Sequence, residues 1–206
     1  MTIRFHKGDL PADINFGAIV AIDTETLGLE VRRDRLCVVQ LSRGDGSADV
    51  VQIAAGQTRA PRLETLLADG NVLKLFHFGR FDMATLCSAF GVMPAPVYCT
   101  KIASKIARTY TDRHGLKDLT RELLGVEISK QQQSSDWGAP ALSEAQLAYA
   151  ASDVLHLHAL REKLDAMLLR EGRDTHARAA FGYLPERVRL DLAGFEAMDI
   201  FAHASP

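Results

Sequence analysis

Residues 18–30 read AIVAIDTETLGLE. The first six, AIVAID, are rich in β-formers and nearly all apolar, which predicts a central strand covered on both faces. At its end come Asp23 and Glu25. Side chains alternate along a strand, so positions 23 and 25 share a face and put two like charges within one ligand-binding distance. Burying both unpaired is costly. A divalent cation removes the conflict, because Mg²⁺ takes oxygen ligands and is normally held by a few carboxylates, waters and substrate phosphates. Spacing alone is a weak signal: 26 acids in 206 residues yield roughly three acid-x-acid pairs by chance. The placement at the end of an apolar strand is what raises it.

Working outward, RLCVVQL (35–41) and ADVVQI (48–53) are separated by SRGDGS, whose Gly and Asp residues supply a turn, so the chain opens as an antiparallel meander. PRLETLLADG (61–70) has Pro at a helix start and Gly past its end, and VLKLFHF (72–78) reads as another buried strand. Helix RFDMATLCSAFG, short strand PVYCT and helix KIASKIARTY complete an alternation typical of parallel crossover units. The expectation is an α/β fold: a mixed five-stranded sheet, three strands antiparallel and two added in parallel, with helices on its faces. HGLKDLTRELLG predicts one more amphipathic helix closed by Gly125, and ISKQQQSSDWGAP (128–140) an ordered loop. Ser143 and Gln146 match a capping box opening a long helix to about Leu169. The tail, residues 186–206, keeps Leu190, Leu192, Phe195, Met198, Ile200 and Phe201, too few to form a domain alone, so they are expected to cover the main core or another subunit.

Composition bounds the function. With 47% hydrophobic and 24% charged residues, the chain reads as a single globular domain over 1–206. A net charge of −2 argues against coating long nucleic acid, which needs a basic surface, and leaves a short anionic ligand open. Cys37, Cys87 and Cys99 have no metal-type spacing and read as buried thiols. MTIRFHKGDLP lacks the apolar region of a signal peptide, and no run approaches the roughly 18 apolar residues of a membrane span, so a cytoplasmic protein without membrane contact is expected.

Two further acids stand out. Asp82, in HFGRFDMATL, lies just inside a helix after a buried strand, where the helix dipole alone would also favour it. In YAASD, Tyr149 and Asp153 share a helical face. The ordinary alternative is a core Tyr and an exposed Asp, but Ala150, Ala151, Val154 and Leu155 make the surroundings of Asp153 too apolar for a casual surface charge. His156 and His158, two apart on a helix, face different directions and are discounted as metal ligands.

Asp23-x-Glu25, Asp82 and Tyr149-x-x-x-Asp153, in that order and on those elements, resemble the acids and tyrosine of the DEDDy 3′–5′ exonucleases, which have a ribonuclease H-like fold. KQQQSSDW with SEAQLAYAASDV is similar to the ribonuclease D branch. IDTETLGL, HFGRFD, CTKIAS, RTYTDRHGLK, SKQQQSSDW and DIFAH extend the likeness over nearly the whole chain to the bacterial nano-RNase C (diribonuclease) type. No segment reads as the HRDC modules of full ribonuclease D. The resemblance implies a two-metal exoribonuclease, using Mg²⁺ or Mn²⁺, that cleaves very short RNA, dinucleotides above all, to nucleoside 5′-monophosphates. It also implies roles: Asp23 bridging both ions, Glu25 and Asp153 on the nucleophile-side ion, Asp82 reaching the other largely through water, and Tyr149 positioning the attacking water. Leu29 corresponds to a leucine wedged against the terminal bases. Thr26 is a further candidate contact, and His77, Phe78 and Phe81 are candidates to line a base pocket, although aromatics beside a strand end are more often core.

Seven basic residues between Lys101 and Lys130 exceed the four acids there by three, enough for one or two phosphates. Arg108, Arg113, Lys130 and Gln133 are the candidates to clamp a 5′ phosphate. The tail and the resemblance both suggest a homo-oligomer, up to a ring of eight. Two other readings stay open: a ribonuclease D-like exonuclease on longer RNA or DNA 3′ ends, and a catalytically silent nucleic-acid binding module.

Overall fold

The apolar run around residue 20 forms β2 (Ile19–Thr26), a central strand of a six-stranded sheet in the order β1-β4-β3-β2-β5-β6. A computed structural model describes residues 1–129 and 131–203. Next to β2 run β3 (Leu36–Ser42), antiparallel and buried throughout, and β5 (Leu73–Phe76), parallel. Beyond these lie β4 (Ser47–Gln52), antiparallel to β3, and β6 (Val97–Cys99), parallel to β5. The meander and the two parallel additions match the sequence pattern.

The expected count of five strands is corrected by β1 (Thr2–Lys7), which pairs in parallel with β4 at the far edge. Its polar side chains hold it there. Arg4 donates to both carboxylate oxygens of Asp49 at 2.7 Å, and His6 Nε2 lies 2.8 Å from Asp49 Oδ1. This pairing joins residues more than forty apart in the chain, so short-range alternation carried little sign of it.

Helices α1 (Pro61–Ala68), α2 (Gly79–Phe90) and α3 (Thr100–Ala107) are the crossover and flanking helices. The segment at 114–125 becomes a short α4 (Leu116–Leu119) running into a π-helical turn (Thr120–Leu124) and closed by left-handed Gly125. Ser143 and Gln146 do form the capping box that opens α5 (Glu144–Leu155). The single long helix expected to Leu169 is divided at His156, and α6 (Leu157–Arg170) follows. The two halves serve different partners: α5 lies across β2, β3 and β4, while α6 packs on α3 and β5.

The tail expected from residue 186 begins later, because α7 (Asp174–Leu190) runs on through Pro185. Ala177, Phe181, Leu184 and Val188 form one buried stripe, which packs α7 against α2, α3, α6 and β6. Of the tail's apolar residues, Leu192 packs on the core, whereas Phe195, Met198, Ile200 and Phe201 are exposed. The tail is stapled near the end of β5: Arg80 on α2 pairs with Asp191, and Arg187 with Asp191 and the carbonyls of Phe195, Glu196 and Met198. Among the described residues no helix is long and apolar enough to cross a membrane.

Candidate active site

Three elements meet at the C-terminal end of β2. The strand itself carries Asp23 and Glu25, α2 brings Asp82 in its first turn, and α5 lays Tyr149 and Asp153 across the sheet. All five side chains line one cleft of about 620 Å³. Oxygens of Asp23, Glu25 and Asp153 lie within 4.8 Å of one another. A bulge interrupts the β2–β3 register between Glu25 and Thr26, the kind of irregularity that re-aims side chains and loosens pairing at the end of a strand.

Asp82 joins the group differently. Its Oδ1 accepts from the backbone N–H of Thr24 at 3.0 Å and from the Thr24 hydroxyl at 2.8 Å. It is 3% exposed. These bonds tie the helix to the strand between the two β2 acids and leave Oδ2 for other contacts. Asp23 is oriented likewise: Gln40, its direct cross-strand partner on β3, donates to Oδ2 at 2.6 Å. Gln40 is fully buried, and its own Oε1 has no protein partner.

Burial and like charge dominate the electrostatics of Asp23 and Glu25. Burial, then the charges of Asp82, Asp153 and Glu25, hold the Asp23 carboxyl well above the usual range, against the opposing Gln40 hydrogen bond. Burial and the neighbouring Asp153 and Asp82 push Glu25 up to about 9. Burial lifts Asp82 to about 7 in spite of the Thr24 bonds. The Tyr149 phenol is raised by burial and by Asp153, Glu25 and Asp23; its ring leans on buried Trp137, centroids 5.9 Å apart.

A set of three carboxylates with oxygens this close offers the hard donors that suit a small divalent cation. Protonation also relieves such repulsion.

The remaining candidates divide. Leu29 (85% exposed), Thr26, His77 and Gln133 line the cleft. The Thr26 hydroxyl donates to the Gly28 carbonyl and His77 Nδ1 lies 2.9 Å from the Thr100 hydroxyl, so both are held in place. Arg108 must be corrected: it is fully buried, bonded to Ser104, the Arg113 carbonyl and Glu122, and does not reach the cleft. Its guanidinium braces the 108–115 loop from within. Arg113 is exposed and outside the cleft lining, and Lys130 lies outside the described residues. Lys101 and Lys117 do line the cleft. They belong to the basic segment read from sequence, but charge counting could not say which of its members face inward. Gln40 was missed, although a lone amide within the apolar RLCVVQL was its signal.

A model of the 3′–5′ exonuclease family matches residues 10–169, and the chain belongs to that family. Over 99% of its length it is similar to the nuclease NrnC of Brucella melitensis. The structure of NrnC with bound Mg²⁺ is 61% identical, is covered over 100% of its own chain and gives a TM-score of 0.96. NrnC bound to pGG is 62% identical, with the same coverage and TM-score. Ribonuclease D of Gluconacetobacter diazotrophicus is 41% identical over 154 residues, 75% of this chain and 39% of that protein. The chain therefore spans about two fifths of the length of such ribonuclease D relatives.

Proposed function

We propose that the chain is a metal-dependent 3′–5′ exoribonuclease that hydrolyses very short RNA, dinucleotides above all, to nucleoside 5′-monophosphates. The observation that carries this is the meeting of Asp23, Glu25 and Asp153 within 4.8 Å, in a cleft that also holds Asp82 and Tyr149. Likeness along the full length to a nuclease solved with Mg²⁺ and with pGG favours the short-RNA reading over activity on long 3′ ends.

Asp23 would contribute to two cation positions, Glu25 and Asp153 to the one beside the attacking water, and Asp82 to the other, largely through water. When bound, two Mg²⁺ or Mn²⁺ ions neutralise the scissile phosphate and the charge that develops on its entering and leaving oxygens. Tyr149 stays protonated at neutral pH, because its pKa is raised by burial and by the carboxylates around it, so it orients the water and does not take its proton. Leu29 projects into the cleft as an apolar wedge for the bases, and Thr26, His77 and Gln133 border the sugar and base positions. Lys101 and Lys117 take over the phosphate-binding task first assigned to Arg108.

The exposed Phe195, Met198, Ile200 and Phe201 support a homo-oligomer, for which a ring of eight is the arrangement we favour, in the cytoplasm. Removing residues after Leu192 should lower the mass seen by light scattering; an unchanged mass would count against it. For the reaction, initial rates with Mg²⁺ on RNA of two, five and twenty nucleotides are the test. Fastest cleavage of the dinucleotide is expected, and equal rates would leave a general ribonuclease D-like exonuclease.

A further inference from the structure

Between the end of β5 at Phe76 and the start of α2 at Gly79 only His77 and Phe78 make the turn. The turn is drawn tight: a Cβ on Gly79 would stand 2.7 Å from Phe76 Cβ. This tightness brings the first turn of α2, and Asp82 with it, up to β2. It also forces Phe78 into the left-handed region, at φ 65° and ψ 37°, the one positive φ outside glycine among the described residues. Glycine or asparagine meets that requirement at lower cost than a residue with a bulky side chain. The phenyl ring is not core either, since Phe78 is 48% exposed.

What the ring does have is position. It lines the cleft together with Leu29 and Asp82, and Lys101 Nζ sits 4.3 Å from its centroid. A half-exposed ring steadied by a cation at the cleft wall is a stacking surface, although it also borders two neighbouring hollows, and every nucleobase offers a π-face to it. We propose that Phe78 stacks on one of the two bases flanking the scissile phosphate and sets the affinity for the short RNA, its strained backbone being the cost of aiming the ring there. The inference rests on the nuclease reading above and deepens it.

The test uses the full chain with Mg²⁺ on a dinucleotide and on its two analogues lacking either the 5′ or the 3′ base. In the wild type, loss of the stacked base should raise KM about five- to a hundredfold, the range of one base–aromatic stack. Phe78→Ala should show that rise on the intact dinucleotide, with kcat changed less and little further loss on the analogue lacking the stacked base. Phe78→Tyr should restore the wild-type KM. Phe78→Gly should lose affinity like the alanine variant yet melt no lower than it, because glycine relieves the turn. An unchanged KM in Phe78→Ala, or the same loss on intact and base-lacking substrates, overturns the proposal and leaves the nuclease reading standing. So does an affinity loss accompanied by a fall in oligomer mass, which would make the ring a subunit contact. A wild-type chain that cleaves none of these substrates overturns both.

Discussion

Buried Asp49 and half-buried Asp23 are acids on strands of the same sheet, and they serve opposite ends. Burial pushes both up. For Asp49 the hydrogen bonds from Arg4 and His6, with their charges, outweigh burial, and the carboxyl ends below its ordinary range. For Asp23 the neighbours are three more acids, and only Gln40 pulls the other way. Compensation at Asp49 holds an edge strand in place. At Asp23 no such pair of cations is among the causes of its shift, and the site suits charge brought from outside the chain. A buried charge with a built-in partner is architecture, and one without it is a binding site.

Asp23→Asn gives the sharpest contrast. It removes a charge without changing shape, so turnover should fall by roughly a thousandfold or more, the worth of several kcal/mol of transition-state stabilisation, while the metal-free protein melts no lower than the wild type. Activity within tenfold of wild type would end the assignment. Next is Gln40→Leu, which frees Asp23 Oδ2 and should weaken Mg²⁺ binding about tenfold or more, as loss of an outer partner of a metal ligand does. Calorimetric titration of the cation measures this directly, and an unaltered affinity would make Gln40 a packing residue only.

Asp49→Asn should leave kcat and KM alone. It strands Arg4, which is partly solvated, so a cost of about 1–3 kcal/mol is expected, or a melting temperature lower by roughly 3–10 °C. Loss of activity without loss of stability would reverse the contrast.

The smallest effect is in pH. Acids whose pKa is raised by folding favour the fold most when protonated, so their contribution declines as pH climbs from the unfolded value near 4 toward about 7 for Asp82 and about 9 for Glu25. The lowered Asp49 works the other way and loses its contribution only in acid. Chelated protein should therefore melt a few degrees lower at pH 8 than at pH 6, and Mg²⁺ should narrow that gap. A chelated protein equally stable at both values would contradict the assigned shifts.

How legible all this was in the sequence depends on the range of the forces concerned. The apolar run ending in Asp23 and Glu25, the meander, the parallel strands and the Ser143 cap were readable because alternation and capping act within a few residues. Asp153 could be picked out by its apolar neighbours, whereas Asp82 and Tyr149 joined it through the resemblance that their order and elements carry. Strand β1 escaped because its hold on β4 depends on Asp49, and α7 because Pro185 looked like a boundary until a buried stripe carried the helix past it. Arg108 was misread since its guanidinium points inward to Ser104 and Glu122, a direction that charge counting does not contain.

From the sequence alone came the kind of chemistry: which side chains could hold a cation, in what order, and on strand or helix. Tertiary structure decided their distances, their raised proton affinities, that Lys101 and Lys117 line the cleft while Arg108 does not, and the left-handed turn at Phe78. Side-chain periodicity is a local property of the backbone, whereas desolvation and charge repulsion exist only once distant segments exclude water from one another.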